Sequence, residues 1–363
     1  MGPNGTGALV LVVLLAVAAA GAVGWGWSRV RRWWAWPARV AALALSVLLA
    51  AAAAAVAVNR ELNVYTSWGQ LFGGSDGGPV AGRATVSRGA AGSQVVRFTV
   101  PGKDSGISLT AYAYLPPGYD SPAGQALRYP VIEAVDGFPG SPNTWLISLK
   151  AATYLDREIS AGRMAPTIVV FPYQYTDPAH DGECVDAAGG QRWDTFLSLD
   201  VRHAVTAEFR ARNDRAGWAI IGTSTGGFCA ANLALRHPDR YASAASLSGY
   251  FTAITDRTTG DLYRGDVALR EQNSPLWRIQ HLPVPDLPLY LAAARDDRGA
   301  YQQIEAFSAA AREPLRLTVT LVPQGGHTGG VWLVLEPAAY DWLSATLAAP
   351  VPADPAAGPA GPG

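Results

Sequence analysis

The sequence predicts an α/β fold, a mostly parallel central sheet with helices on both faces, preceded by two transmembrane helices. Three observations carry that prediction. From Tyr129 onward, short apolar runs of strand length alternate with amphipathic stretches of helical period, the pattern of βα units wound onto a parallel sheet. One of those runs, Trp218-Ala219-Ile220-Ile221, ends abruptly in Gly222-Thr223-Ser224-Thr225-Gly226 and passes straight into Phe228 to Arg236, good helix formers without a proline. Finally, Ala8 to Trp25 and Val40 to Val58 are uncharged apolar runs about as long as a bilayer core is thick.

The bulk properties bound the rest. With 363 residues, 49% of them hydrophobic, the chain can build one large domain in addition to its N-terminal segment. A formal charge of -1 and only 16% charged residues leave no basic footprint, so no nucleic-acid partner is expected.

Taken in order, residues 1–59 read as a membrane anchor of two spans. Between the spans lie Arg29, Arg31, Arg32 and Arg39 with Trp33, Trp34 and Trp36, a short loop that the positive-inside rule keeps cytoplasmic. The N-terminus and everything after Asn59 then lie outside, which predicts a multi-pass cell-membrane protein with an extracellular catalytic domain. Two buried core helices are the alternative, disfavoured by apolar surface all round. A cleavable signal ending near Ala55-Val56-Ala57 is another, and it exports the domain equally.

Residues 60–83, with Gly73-Gly74-Ser75-Asp76-Gly77-Gly78, read as a flexible linker, and 84–348 as the catalytic domain. Alternation over Gln94 to Val100 and Ile107 to Leu115 predicts two antiparallel edge strands. Strands follow at Tyr129 to Val135, Thr167 to Phe171, the run before Ser224, Ala242 to Ser248, Leu289 to Ala294 and Leu315 to Val322. Helices are predicted over Trp145 to Ser160, Arg192 to Arg210, the stretch after Ser224, Tyr301 to Ala311 and Val331 to Leu347. The Pro/Ala/Gly-rich end, 349–363, reads as a disordered tail.

G-x-S-x-G between a buried strand and a helix is the pattern of a nucleophile elbow, in which a sharp turn lifts a serine hydroxyl clear of the sheet. If Ser224 is that nucleophile, its acid and its histidine must follow in that order, each on a loop after a later strand. The strand Leu289 to Ala294 runs into Arg295-Asp296-Asp297-Arg298, and Leu317 to Val322 into Pro323-Gln324-Gly325-Gly326-His327. His327 is therefore the candidate base, and Asp296 or Asp297 the candidate acid. His203, His237 and His281 fall in or beside helices, or before the acid strand; His180 is the serious rival. For the oxyanion, the backbone N–H of Thr225 is one expected donor. Phe138, in the loop Asp136-Gly137-Phe138-Pro139, is the other, since Pro139 has no N–H. The residues point to no metal site and no cofactor; a phosphate loop with its lysine is missing.

Cys184 and Cys229 are the two cysteines of the chain. Both fall in the exported part, where a disulfide can persist, and a bridge would close a loop of about 45 residues worth on the order of 4 kcal/mol. Two unconnected thiols, one buried and one in a loop, are the alternative.

Over roughly Gln94 to Leu347 these residues resemble the esterase D and mycolyltransferase branch of the α/β-hydrolases. The resemblance rests on Asp136-Gly137-Phe138, Arg192-Trp193-Asp194-Thr195-Phe196-Leu197, Gly222-Thr223-Ser224-Thr225-Gly226, Arg236-His237-Pro238-Asp239 and Gly326-His327. It implies the α/β-hydrolase fold, an acyl-ester substrate and an acyl-serine intermediate passed to water or to a sugar hydroxyl, with an envelope lipid or glycan as partner. Counting outward from the strand end as in that family favours Asp297 as the acid and leaves Asp296 as the alternative. The two spans resemble those of actinobacterial membrane-anchored esterases. Two departures, no methionine after the serine and Arg-Asp-Asp where mycolyltransferases place a later glutamate, favour simple ester hydrolysis over mycolate transfer. The expectation is a serine esterase; an acyltransferase, a serine peptidase or a tethered binding module without turnover are the alternatives.

Overall fold

The computed structural model describes residues 5–27, 36–62, 84–177 and 179–353. Most of the Arg/Trp-rich loop, the predicted linker from 63 to 83 and the tail from 354 lie outside the described residues. The chain divides into two compact units, 1–77 and 78–363, and the division falls inside the predicted linker.

The first unit holds two helices, Thr6–Trp27 and Trp36–Leu62, the second running three residues past the expected boundary at Asn59. Both are long and apolar enough to cross a membrane by length and composition. Leu14 and Leu48 are 61% and 67% exposed. Where the helices approach at one end, Arg39 donates to the Trp27 carbonyl at 2.8 Å, its guanidinium 4.9 Å from the indole centroid.

The second unit is built on a nine-stranded sheet in the order β1-β2-β3-β6-β5-β7-β8-β9-β10. The strands are β1 (Ala84–Arg88), β2 (Gln94–Val100), β3 (Leu109–Leu115), β5 (Val131–Val135), β6 (Ile168–Phe171), β7 (Trp218–Thr223), β8 (Ser243–Leu247), β9 (Pro288–Ala294) and β10 (Arg316–Val322). All pairings from β6 across to β10 are parallel, and β1, β2 and β3 add antiparallel strands at one side. The expected edge strands are therefore antiparallel but not at the edge: β1, which carries no clear alternation, covers them.

Period-two alternation splits the core into two layers. Trp218 and Ile220 of β7 face the helices 193–208, Thr225–Arg236 and Arg298–Ala310, whose Phe196, Leu233 and Phe307 complete that layer. Ala219 and Ile221 face the helices Ala151–Ser160 and Gly329–Thr346, through Leu155, Leu335 and Leu343. Strands buried on both faces read as continuous apolar runs, which is why β5 to β9 were visible in the sequence.

Three further expectations need correction. The helix expected over Trp145 to Ser160 is broken, because Lys150 takes a left-handed backbone (φ 57°) between a wide turn at Thr144–Ser148 and the helix proper. Two helices, Val267–Gln272 and Pro275–His281, lie between β8 and β9, where the expected elements include none. The tail is ordered at its start: Val351 and Pro352 (β11) pair antiparallel with Leu127 and Arg128 (β4).

Candidate active site

β7 is a central strand, and it delivers its last residue to the C-terminal edge of the sheet, where open α/β sheets place their sites. Ser224 follows with φ 53° and ψ -120°, and the helix starts at Thr225. A non-glycine residue in such a backbone costs roughly 1–3 kcal/mol, held here by the surrounding bonds. The Ser224 N–H donates to the Leu247 carbonyl at 2.8 Å, and its own carbonyl accepts from Phe228 at 3.1 Å. The glycines two residues either side are steric necessities: a Cβ on Gly222 would lie 1.9 Å from the Gly226 carbonyl oxygen, and one on Gly226 2.3 Å from that of Val135.

The loops after β9 and β10 bring the downstream residues to this serine. His327 Nε2 lies 2.8 Å from Ser224 Oγ, and His327 Nδ1 lies 2.7 Å from Asp297 Oδ2. Asp297 is buried, and its other oxygen accepts from the Ala300 N–H as the N-cap of the helix Arg298–Ala310. The structure thus pairs Asp297, not Asp296, with the imidazole. Asp296 instead accepts backbone N–H groups of Gly325 and Gly326 at 3.0 and 2.8 Å. The other histidines stand elsewhere: His180 pairs with Asp177, His203 with Asp104 and His237 with Asp194, while His281 bonds the Trp277 carbonyl.

The loop after β5 abuts the elbow from the other side. A Cβ on Gly137 would sit 3.1 Å from Ser224 Cβ, so Phe138 follows directly beside the nucleophile candidate. Among the described residues, the backbone N–H groups of Phe138 and Thr225 donate to no protein acceptor. The loop is fixed from below. Asp136 accepts the Gly137 N–H at 2.8 Å, the Gln174 amide donates to the Asp136 carbonyl, and Tyr175 accepts the Gly140 N–H. Burial pushes the Asp136 carboxyl up to about 7.

Cys184 and Cys229 are joined as a disulfide, which anchors the loop 181–186 to the helix behind Ser224. That loop supplies residues the sequence reading did not single out. Asp181 accepts from the Thr225 hydroxyl at 3.0 Å, and Glu183 accepts from Tyr250 at 2.7 Å. Burial raises both carboxyls, Asp181 to about 6 and Glu183 to about 8. Nothing in the residue pattern marks them, since the contacts join segments more than forty positions apart. Chemically, a carboxylate accepting from Nδ1–H leaves Nε2 as the base facing a hydroxyl. No group of three or more His, Cys, Asp or Glu suited to a metal occurs among the described residues.

Comparison with known proteins shows the family and the fold. The sequence model of the Esterase family matches residues 104–329. An uncharacterised protein of Corynebacterium glutamicum is 27% identical over 244 residues, 64% of this chain and 56% of the relative. The MPT51 antigen of Mycobacterium leprae is 36% identical over 77 residues, 21% of this chain and 25% of the relative. The chain thus spans about half, or less, of the length of these relatives. In structure, the S-formylglutathione hydrolase of Agrobacterium tumefaciens superposes with a TM-score of 0.61 at 15% identity, over 73% of this chain and 99% of that one, a likeness of fold. With residues 104–329, more than half of the chain, inside the family match, this chain belongs to the Esterase family of α/β-hydrolases.

Proposed function

We propose that the protein is a membrane-anchored serine esterase, its hydrolase domain on the outer side of the membrane, cleaving acyl esters through an acyl-serine intermediate. One observation carries the reading: the unbroken chain Asp297–His327–Ser224, with bonds of 2.7 and 2.8 Å, ending on a serine in a strained elbow. Ser224 Oγ attacks the ester carbonyl carbon as His327 Nε2 takes its proton. Negative charge moves to the carbonyl oxygen, where the N–H groups of Thr225 and Phe138 receive it. Collapse breaks the ester C–O bond, and His327 returns the proton to the leaving alkoxide. Water then repeats the sequence on the acyl-serine and releases the acid.

The outward placement rests on the four arginines between the spans and on the Cys184–Cys229 bridge, which suits an oxidising compartment. A sugar hydroxyl replacing water would make the protein an acyltransferase, the alternative that the mycolyltransferase-like residues of the sequence keep open. In detergent-solubilised protein, Ser224→Ala is expected to abolish fluorophosphonate labelling and to lower hydrolysis of short p-nitrophenyl esters by at least ~10⁴-fold. Hydrolysis by that variant at the wild-type rate would overturn the reading, and a wild type that neither takes the label nor hydrolyses esters would leave a tethered binding module.

A further inference from the structure

His327 is 44% exposed, so burial does not hold its ring. Beyond its two hydrogen bonds, the ring packs at right angles to that of Trp332, with centroids 5.5 Å apart. The loop beneath it turns through Gly325 and Gly326 at φ 134° and 63°, and glycine enters that region as readily as negative φ, so no side chain of their own fixes the backbone there. Thr328 ties the loop to the helix that follows, donating to the Gly325 carbonyl and capping Val331. What joins residues 325–327 to the end of β9 is a pair of adjacent carboxylates. Asp297 bonds the imidazole, and Asp296 accepts two successive backbone N–H groups just before it. Successive N–H groups aimed at one anion form a nest. They hold the Asp296 carboxyl below its ordinary range, so it stays ionised.

We propose that Asp296 is a positioning residue: by clamping the Gly325 and Gly326 N–H groups it fixes His327 at hydrogen-bond distance from Ser224. The proposal rests on the esterase reading. It assigns the Asp296–Asp297 pair a division of labour, one carboxylate on the base and its neighbour on the base's backbone. Displacing a reacting group by about 1 Å costs on the order of 10²-fold in rate.

The test compares Asp296→Ala and Asp296→Asn in the full-length protein, by kcat and KM on p-nitrophenyl acetate, by thermal midpoint and by amide exchange of Gly325 and Gly326. Asp296→Ala is expected to lose about 10- to 100-fold in kcat with KM within about threefold, unchanged melting and faster exchange at both glycines. Asp296→Asn, which keeps one acceptor oxygen, is expected to recover several-fold of the lost kcat. Wild-type kcat in the alanine variant overturns the proposal, as does a loss carried by KM or by unfolding, or an asparagine variant no better than alanine. Wild-type protein without Ser224-dependent hydrolysis would remove the esterase reading, and this proposal with it; an active wild type with an equally active Asp296→Ala removes the proposal alone.

Discussion

Replacing Asp297 by asparagine isolates the tautomer that the proposed chemistry needs. In the wild type the Asp297 carboxylate accepts a hydrogen bond from the His327 Nδ1–H at 2.7 Å, leaving Nε2 with a lone pair 2.8 Å from Ser224 Oγ. An asparagine amide can turn its NH₂ toward Nδ1, which moves the ring proton to Nε2 and points it at the hydroxyl that has to be deprotonated. The cost of that wrong tautomer is about 10⁴ in kcat, or about 5.5 kcal/mol at 1.36 kcal/mol per decade. Because the ring is 44% exposed, water can compete for Nδ1, and the expected loss here is ~10³- to 10⁴-fold. Stability provides the control. Asp297 also caps the helix Arg298–Ala310 through Ala300, and asparagine caps about as well as aspartate, so the thermal midpoint should hold. Alanine should lose the cap too, about 1 kcal/mol or ~2–4 °C. Initial rates on p-nitrophenyl acetate with parallel melts read both effects. Asp297→Asn within tenfold of wild type would refute the reasoning, and Asp296→Asn costing more than Asp297→Asn would transfer the acid role to Asp296.

Two further expectations concern the frame around the site. Removing the Cys184–Cys229 bridge, by reduction or by a double serine substitution, opens a loop of separation 45 and should lower stability by about 4 kcal/mol; melts that coincide with and without reductant would contradict this. Asp194 accepts from Arg236 at 2.8 Å and His237 at 2.6 Å; burial pushes its carboxyl up, but these partners outweigh that and hold it below the ordinary range. A depressed carboxylate stabilises the fold above its unfolded value near 3.9 and loses that contribution as pH falls through the folded value. Asp194→Asn should therefore cost ~3 kcal/mol at pH 7 and progressively less below about pH 4, and a pH-independent difference in urea unfolding would rule the linkage out.

Much of the domain is legible in the sequence. β5, β7, β8 and β9 are buried on both faces, so their composition announces them, and the elbow glycines mark themselves because nothing larger fits. The order serine, acid, histidine followed from strand ends that could be counted. β1 was missed because an exposed edge strand need not alternate, and the helices Val267–Gln272 and Pro275–His281 because so short a helix carries little periodicity.

By itself the sequence determined the class of fold, the two apolar spans, the nucleophile candidate and His327, since each is written in local composition, spacing or a steric demand at one position. Tertiary structure decided what depends on direction in space. Asp296 and Asp297 are neighbours of identical chemistry, and only the path of the loop after β10 tells which carboxylate meets an imidazole and which meets a backbone. The same holds for the Cys184–Cys229 bridge and for Asp181 on Thr225, which join positions some forty-five residues apart. Local propensity acts over a few residues, whereas these contacts exist only once the sheet has closed the distance.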